Sequence, residues 1–187
     1  MKKKRLAILC PYPFGQAPSQ RFRFEQYLHA LEADGWDIKT YSFLNQSGWN
    51  VFYHEGLSLQ KLYHLVLGFF KRWFLMTFIW RFQKVLIHRE ASPVGPPIFE
   101  WIIAKGYKIH VIYDFDDPMW LTQFIGSKKF EKHLKCYDAF TCDNNLQLNR
   151  GKITNRTGKV IEGHVPNFDG HISTKRNGMQ LIWVGSQ

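Results

Sequence analysis

The sequence predicts an α/β protein: a Rossmann-like, doubly wound, mainly parallel sheet with helices on both faces. Three observations predict it. Short runs rich in β-branched and aromatic residues recur at Arg5–Cys10, Trp36–Phe43, Lys84–His88, Lys108–Tyr113, Asp138–Cys142 and Lys159–Val165. Their length and composition suit strands. Stretches with helical spacing lie between them, and strands alternating with helices imply βαβ crossovers and a parallel sheet. Polar and charged residues gather where the apolar runs end, which is where open α/β sheets place their ligand crevice.

The organising stretch is Lys108–Trp120, KIHVIYDFDDPMW. Ile109, Val111, Ile112 and Tyr113 read as a buried strand. Asp114, Asp116 and Asp117 then arrive together, and Pro118 stops the strand. Carboxylates at the end of a core strand are costly if desolvated, so they must face a cleft, a cation or a helix N-terminus.

Composition narrows the partners. The chain has 187 residues, 45% hydrophobic and 21% charged, which suits a globular domain with a sizeable core. Its formal net charge of +10 favours an anionic partner: nucleic acid, anionic lipid or a phosphorylated substrate. The modules that read nucleic acid are absent, so no nucleic-acid partner is expected. Cys10, Cys136 and Cys142 are odd in number and form no CxxC, the usage of reduced thiols in a cytosolic protein. The start, MKKKRLAILCPYPFG, is basic, but its apolar run is too short for a signal peptide. The sequons at Asn45 and Asn155 therefore carry no weight.

In chain order, Arg5–Cys10 is the first strand, and Pro11, Pro13 and Gly15 break it into a loop. Ser19 is a plausible N-cap for a helix over Gln20–Ala33. Arg21 and Arg23 then fall in its first turn, where cations oppose the helix dipole, so an anion or an internal acid should justify them. Gly35 ends the helix and Trp36–Phe43 is the second strand. Asn45–Gly56 reads as a loop. A long helix over Leu59–Gln83 would span about 35 Å. Lys84–His88 is the third strand, ending in His88-Arg89-Glu90. A helix over Ile98–Lys105 follows, ended by Gly106, and the acidic strand comes fourth. A helix over Lys128–Lys135, a strand over Asp138–Cys142, a helix over Asn144–Arg150 and a strand over Lys159–Val165 complete the alternation.

Residues 1–170 are expected to form one domain, 171–178 a linker, and 179–187, MQLIWVGSQ, the first strand of a further α/β domain.

In the strand order 3-2-1-4-5-6, the first and fourth strands are neighbours at the switch point. Gln16, Ser19, Arg21 and Arg23 would then face Asp114, Asp116 and Asp117 across one crevice, with His88, Arg89 and Glu90 on the same rim. The arginines and acids either pair with each other or stay free for a substrate. The acids have spacing a divalent metal can use, but Asp117 before Pro118 equally caps the following turn, and no metal is expected. No GxSxG, P-loop or HExxH occurs, and the remaining histidines lack metal-ligand spacing.

On the long helix, Lys61, His64, Gly68, Lys71 and Arg72 share one face, and Leu62, Leu65, Val66, Phe69, Phe70 and Trp73 lie opposite. No uncharged stretch is long enough to span a bilayer. A basic, aromatic amphipathic helix can lie in a membrane interface, with Lys61, Lys71, Arg72, Trp73 and Trp80 as contacts, or it can simply pack on the sheet.

Several motifs together resemble those of bacterial glycosyltransferases of family 4. They are Ala17-Pro18-Ser19-x-Arg21-Phe22-Arg23 after the first strand, and His88-Arg89-Glu90 with Gly95-Pro96-Pro97 and Glu100 after the third. Tyr113-Asp114-Phe115-Asp116-Asp117 with Trp120 follows the fourth. Asp138–Asn144, Val165-Pro166-Asn167 with Asp169, and Ile182–Ser186 complete the likeness, which runs almost end to end.

The resemblance implies the N-terminal half of a GT-B fold, in which two Rossmann-like domains face a cleft. This half largely binds the acceptor, whereas the other binds the nucleotide-sugar and carries the family's paired glutamates, for which this sequence offers no candidate. Many relatives place a catalytic-region His where this chain has Asp116, followed by Asp117. The implied function is acceptor binding in a retaining enzyme, with a lipid-linked or polysaccharide acceptor at the cytoplasmic membrane face. The nucleotide-sugar would be a co-substrate, and no further cofactor is implied. Asp116 and Asp117 would be catalytic, and Gln16, Ser19, Arg21, Arg23, His88, Arg89, Glu90 and Asp114 would bind substrate. The alternatives are a non-catalytic α/β module for an anionic lipid or sugar, and an inactive truncated product.

Overall fold

The computed structural model describes residues 4–56, 58–121, 126–155 and 157–161. The expected linker, the IWVGS segment and Val165-Pro166-Asn167 lie outside them.

Six strands form one all-parallel sheet: β1 (Lys4–Cys10), β2 (Trp36–Ser42), β3 (Lys84–His88), β4 (His110–Phe115), β5 (Ala139–Cys142) and β6 (Gly158–Val160). Helices α1 (Pro18–Arg23) and α2 (Leu28–Ala33) follow β1. Helices α3 (Gln46–Phe52) and α4 (Ser58–Met76) follow β2. Helices α5 (Ile98–Trp101), α6 (Gly126–Cys136) and α7 (Asn145–Lys152) occupy the later crossovers.

The strand order is β2-β1-β3-β4-β5-β6, so β3 lies between β1 and β4, contrary to the order expected from sequence. The reason is visible in composition. β2, WDIKTYS, is partly exposed along its whole length and carries Asp37 and Lys39, as suits an edge strand. β3, KVLIH, is an apolar run suited to a central position covered on both faces.

The two faces have separate cores. Phe24, Leu28 and Leu31 cover Leu6, Ile8 and Cys10 on one face. On the other, Leu75, Ile79, Phe99, Ile103, Phe130 and Leu134 pack on Ala7, Leu9, Val85, Ile87, Val111 and Tyr113. The helix leading leftward from β1 to β2 lies on the first face and those of the rightward crossovers on the second, as right-handed connections require. All three cysteines are free and buried.

Several helices differ from the sequence expectation. The helix expected over Gln20–Ala33 is broken at Phe24, with a 3-10 turn over Glu25–Tyr27 between α1 and α2. Ala17, not Ser19, is the N-cap, so Arg21 and Arg23 fall in the last turn of α1, where the dipole favours cations. The expected loop after β2 contains α3, capped by the Asn45 side chain accepting from the Gly48 N–H at 2.8 Å. The long helix ends at Met76, and a 3-10 turn over Ile79–Arg81 leads into β3.

The orientation of α4 also reverses the expectation. Its polar-looking face packs inward: Gly68 and Arg72 are buried, while Leu59, Leu62, Tyr63, Val66, Phe70, Trp73 and Phe74 are exposed. Gly68 permits this, because a Cβ there would stand 2.4 Å from the Phe43 ring. Arg72 is fully enclosed and donates to three backbone carbonyls, of Cys10, Tyr41 and Ala91. It is therefore not a membrane contact; Lys71, Trp73 and Trp80 remain exposed, and Lys61 is half-buried.

Candidate functional site

Strand register builds the site. His88 on β3 pairs with Asp114 on β4, and Asp114 pairs with Thr141 on β5. Alternation along parallel strands puts these three side chains in a row on the face that carries α1. His88 is wholly buried and Asp114 nearly so.

Asp114 is the hub. Its Oδ2 meets His88 Nδ1 at 2.8 Å and accepts from Arg23 Nε at 3.3 Å. Its Oδ1 accepts from Thr141 Oγ1 at 2.6 Å and from Arg23 Nη2. Burial alone would push this carboxyl up, but the hydrogen bonds from His88 and Arg23 outweigh it and hold the group below its ordinary 3.8. For Arg23, burial works to lower the pKa and the bond to Asp114 raises it, with a net rise. Arg23 also approaches Asp143 at 3.6 Å and donates to the Ile161 carbonyl, tying α1 to the ends of β4, β5 and β6. On the outer side of His88, Nε2 lies 2.8 Å from Ser19 Oγ.

The loop that delivers Ser19 is held from beneath. Buried Gln20 exchanges hydrogen bonds with the Tyr12 backbone at 3.0 and 3.1 Å. Buried Glu25 accepts from the Gly15 N–H at 3.1 Å and from Gln20 Nε2 at 3.2 Å. Gly15 has φ 76, a left-handed conformation that glycine adopts without strain.

A second rim follows β3. Arg89 has φ 62, unusual for a residue with a Cβ, and its N–H donates to the Asp114 carbonyl at 2.7 Å. The conformation aims its guanidinium at the acidic turn: it pairs with Asp117 and stands 3.7 Å from Asp116. Gln147 on α7 donates to the Asp116 carbonyl. Strained backbone of this kind clusters at functional sites.

Aromatic rings stand beside this rim. Tyr12 meets Trp49 edge-on at 4.9 Å, and Trp49 meets Tyr53 at 4.3 Å. Tyr53 is 68% exposed. Burial of its hydroxyl, with help from Tyr12, raises its pKa, while the charge of Arg89 acts in the opposite direction, which places Tyr53 by the Arg89 turn.

The structure thus brings Ser19, Arg23, His88 and Asp114 into one network, and Arg89, Asp116 and Asp117 into another beside it. β1 and β4 are not neighbours; His88 on the intervening strand bridges their loops. Gln16 and Arg21 are exposed and take no part in either network. The charge of Glu90 acts on buried Tyr113 and Tyr137. Thr141, Asp143, Gln20, Glu25, Tyr12, Trp49 and Tyr53 were not marked by sequence. Strand parity signals Thr141, because it falls one register step from Asp114. Among the described residues no cluster of His, Cys, Asp or Glu is arranged to hold a metal.

No protein-family model matches the chain, and no curated protein is significantly similar to it.

Proposed function

We propose that the chain is the acceptor-binding half of a retaining glycosyltransferase, taking a lipid-linked or polysaccharide acceptor at the inner face of the cell membrane. The observation that carries this is the polar network at the carboxyl ends of β3, β4 and β5, the end of the sheet where a ligand crevice is expected, with the exposed Tyr53 ring near Arg89. Sugar rings present apolar faces to aromatic rings and hydroxyls to polar groups, and the crevice offers both. Ser19 would bind an acceptor hydroxyl. Exposed Arg21 and Gln16 would meet phosphate, since Arg23 is engaged by Asp114. Asp116 and Asp117, held by Arg89, would contact sugar hydroxyls near the reacting centre. The nucleotide-sugar would occupy a facing half.

A panel of soluble oligosaccharides and short-chain glycolipids, titrated while NMR shifts are followed, tests the proposal. Saturable shifts should centre on Tyr53 and Ser19, and Tyr53→Ala should weaken binding about three- to tenfold, the value of a ring contact. Failure of every saccharide to bind would overturn it.

The exposed stripe on α4 supports a peripheral membrane contact. No helix among the described residues is long and apolar enough to cross a bilayer. A contiguous apolar stripe left in solvent is nevertheless uncommon on a monomer. Trp73, Phe70 and Phe74 would insert at the headgroup boundary, while Lys71 and Arg81 would meet anionic lipid. The double variant Phe70→Asp/Trp73→Asp should lose at least about tenfold in co-sedimentation with anionic vesicles, since each buried ring contributes about 1.5–3 kcal/mol. Unchanged sedimentation would remove the membrane contact. The same stripe favours a second function, a non-catalytic module on an anionic lipid surface; vesicle binding without any saccharide binding would select it.

A further inference from the structure

The donors and acceptors around Asp114 place a hydrogen on His88 Nδ1. Asp114 receives hydrogen bonds from Arg23 and Thr141 as well as from His88. An ionised carboxylate only accepts, so the His88 Nδ1 that faces it at 2.8 Å carries the hydrogen. In the neutral Nδ1–H tautomer the imidazole has no second N–H, which leaves Nε2 as an acceptor. Ser19 Oγ stands 2.8 Å from Nε2 and, with His88 in that tautomer, donates its single proton inward. Both lone pairs of Oγ are then left for a ligand, and Ser19 is half-buried rather than enclosed.

We propose that His88 is the neutral Nδ1–H tautomer and that Ser19 Oγ is a ligand-recognition atom that accepts a hydrogen bond from a neutral hydroxyl of a saccharide, with His88 and Asp114 as positioning residues that hold it in this acceptor state. The proposal rests on the crevice being a saccharide site and names the atom that reads a sugar hydroxyl. It also gives the crevice a polarity. A phosphate or carboxylate oxygen brought to Ser19 meets lone pairs and is disfavoured, so anions belong on the Arg21 side. The arrangement is stiff. His88, Asp114 and Thr141 sit in register on three adjacent strands, the edge of Phe24 meets the His88 ring at a centroid distance of 5.6 Å, and the Ser19 loop is braced by buried Gln20 and Glu25.

The test has two arms, both on the whole chain. Long-range ¹⁵N–¹H spectra of histidine-labelled protein at neutral pH should show His88 protonated at Nδ1 and bare at Nε2. Ser19→Ala should move the Nε2 signal and leave the Nδ1–H in place. In the second arm, methyl glycosides of glucose, galactose and N-acetylglucosamine are titrated, with inorganic phosphate as the probe of opposite polarity. At least one glycoside should saturate with shifts at Ser19 and His88 Nε2. Ser19→Ala should weaken it about five- to tenfold, the value of one neutral hydrogen bond, and Ser19→Thr should restore it. Phosphate binding should not change with Ser19→Ala.

A His88 ring protonated at Nε2 instead, glycoside binding within twofold of wild type in Ser19→Ala, or no saturable glycoside binding would each overturn the proposal. The two readings separate cleanly. Saccharide binding that depends on Tyr53 but not on Ser19 overturns this proposal and leaves the transferase function standing. Ser19-dependent binding in a protein that supports no transfer from a nucleotide-sugar, even with a donor-binding half supplied, upholds it and removes that function.

Discussion

Asp114→Ala is expected to destabilise the domain by about 3–5 kcal/mol, the usual cost of removing one partner from a buried ion pair. The side chains of Arg23 and Asp114 are only 3% and 5% exposed, so water cannot replace the lost carboxylate. Arg23, His88 and Thr141 would all lose their acceptor at once. A typical domain has about 5–15 kcal/mol in total, so a large share of the folded population is at stake. Urea denaturation measures the loss. Asp37→Ala is the internal control: Asp37 pairs with Arg5 at 3.2 Å, but the two side chains are 25% and 45% exposed, and such pairs contribute about 0–1 kcal/mol. A shift for Asp114→Ala no larger than that of the control would show that the network does not hold the fold.

The same residue sets an acid limb. The Asp114 carboxyl lies lower in the folded state than its ordinary 3.8. The folded protein therefore binds its proton less readily than the unfolded chain, and the stabilisation is fully present above that value. It should fade as pH falls from 3.8 through the lower folded value. Wild type should lose stability in that window more steeply than Asp114→Ala, which has no carboxylate there to protonate.

Much of the fold was legible because strands announce themselves by apolar β-branched runs. All six strands fall where those runs do, although β6 is described only over Gly158–Val160. Strand order was less legible, since crossovers in either direction use the same local signals. The exposure and charge of β2 against the apolar β3 held the answer. His88, Arg23 and Asp114 could be singled out as polar residues at strand ends and on the neighbouring helix, but the bonds that join them depend on which strands are adjacent. Gln20 and Glu25 were invisible for a different reason. On a helix near a loop they read as surface residues, and only the fold shows them buried as braces for the Tyr12–Gly15 backbone. The face of α4 was misread because hydropathy treats Arg72 as a solvent-seeking group. It ignores the backbone carbonyls that converge where β1 and β2 end and that require a donor.

That requirement makes Arg72→Met the second large effect, expected at about 3–5 kcal/mol in urea denaturation. Arg72 Nε donates to the Ala91 carbonyl at 2.7 Å, Nη1 to Tyr41 at 3.0 Å and Nη2 to Cys10 at 2.9 Å. One side chain thus closes the carbonyl ends of β1 and β2 and the loop after β3, three segments that diverge as the chain leaves the sheet. Methionine fills similar space but donates nothing; the Cys10 carbonyl keeps the Phe43 N–H at 2.9 Å, while the Ala91 and Tyr41 carbonyls lose the Arg72 donors at about 1–3 kcal/mol each, reduced by whatever relaxation lets water in. Enclosure pushes the Arg72 pKa down to about 10, yet at neutral pH it stays protonated and keeps every donor. Cys10 beside it is pushed up to about 12 by burial, so it stays a neutral thiol there and gives Arg72 no thiolate to pair with; carbonyl dipoles, with the charge of buried Glu100, carry the stabilisation. Arg72→Lys separates charge from geometry. It keeps the cation but replaces the planar fork with a point donor that cannot span three divergent carbonyls. It should recover no more than about half of the loss. Full recovery by lysine would mean that the charge alone holds α4 to the sheet. A loss below about 1 kcal/mol for Arg72→Met would mean that the carbonyls find water, and that the inward face of α4 owes its position to Gly68 and Phe43 instead.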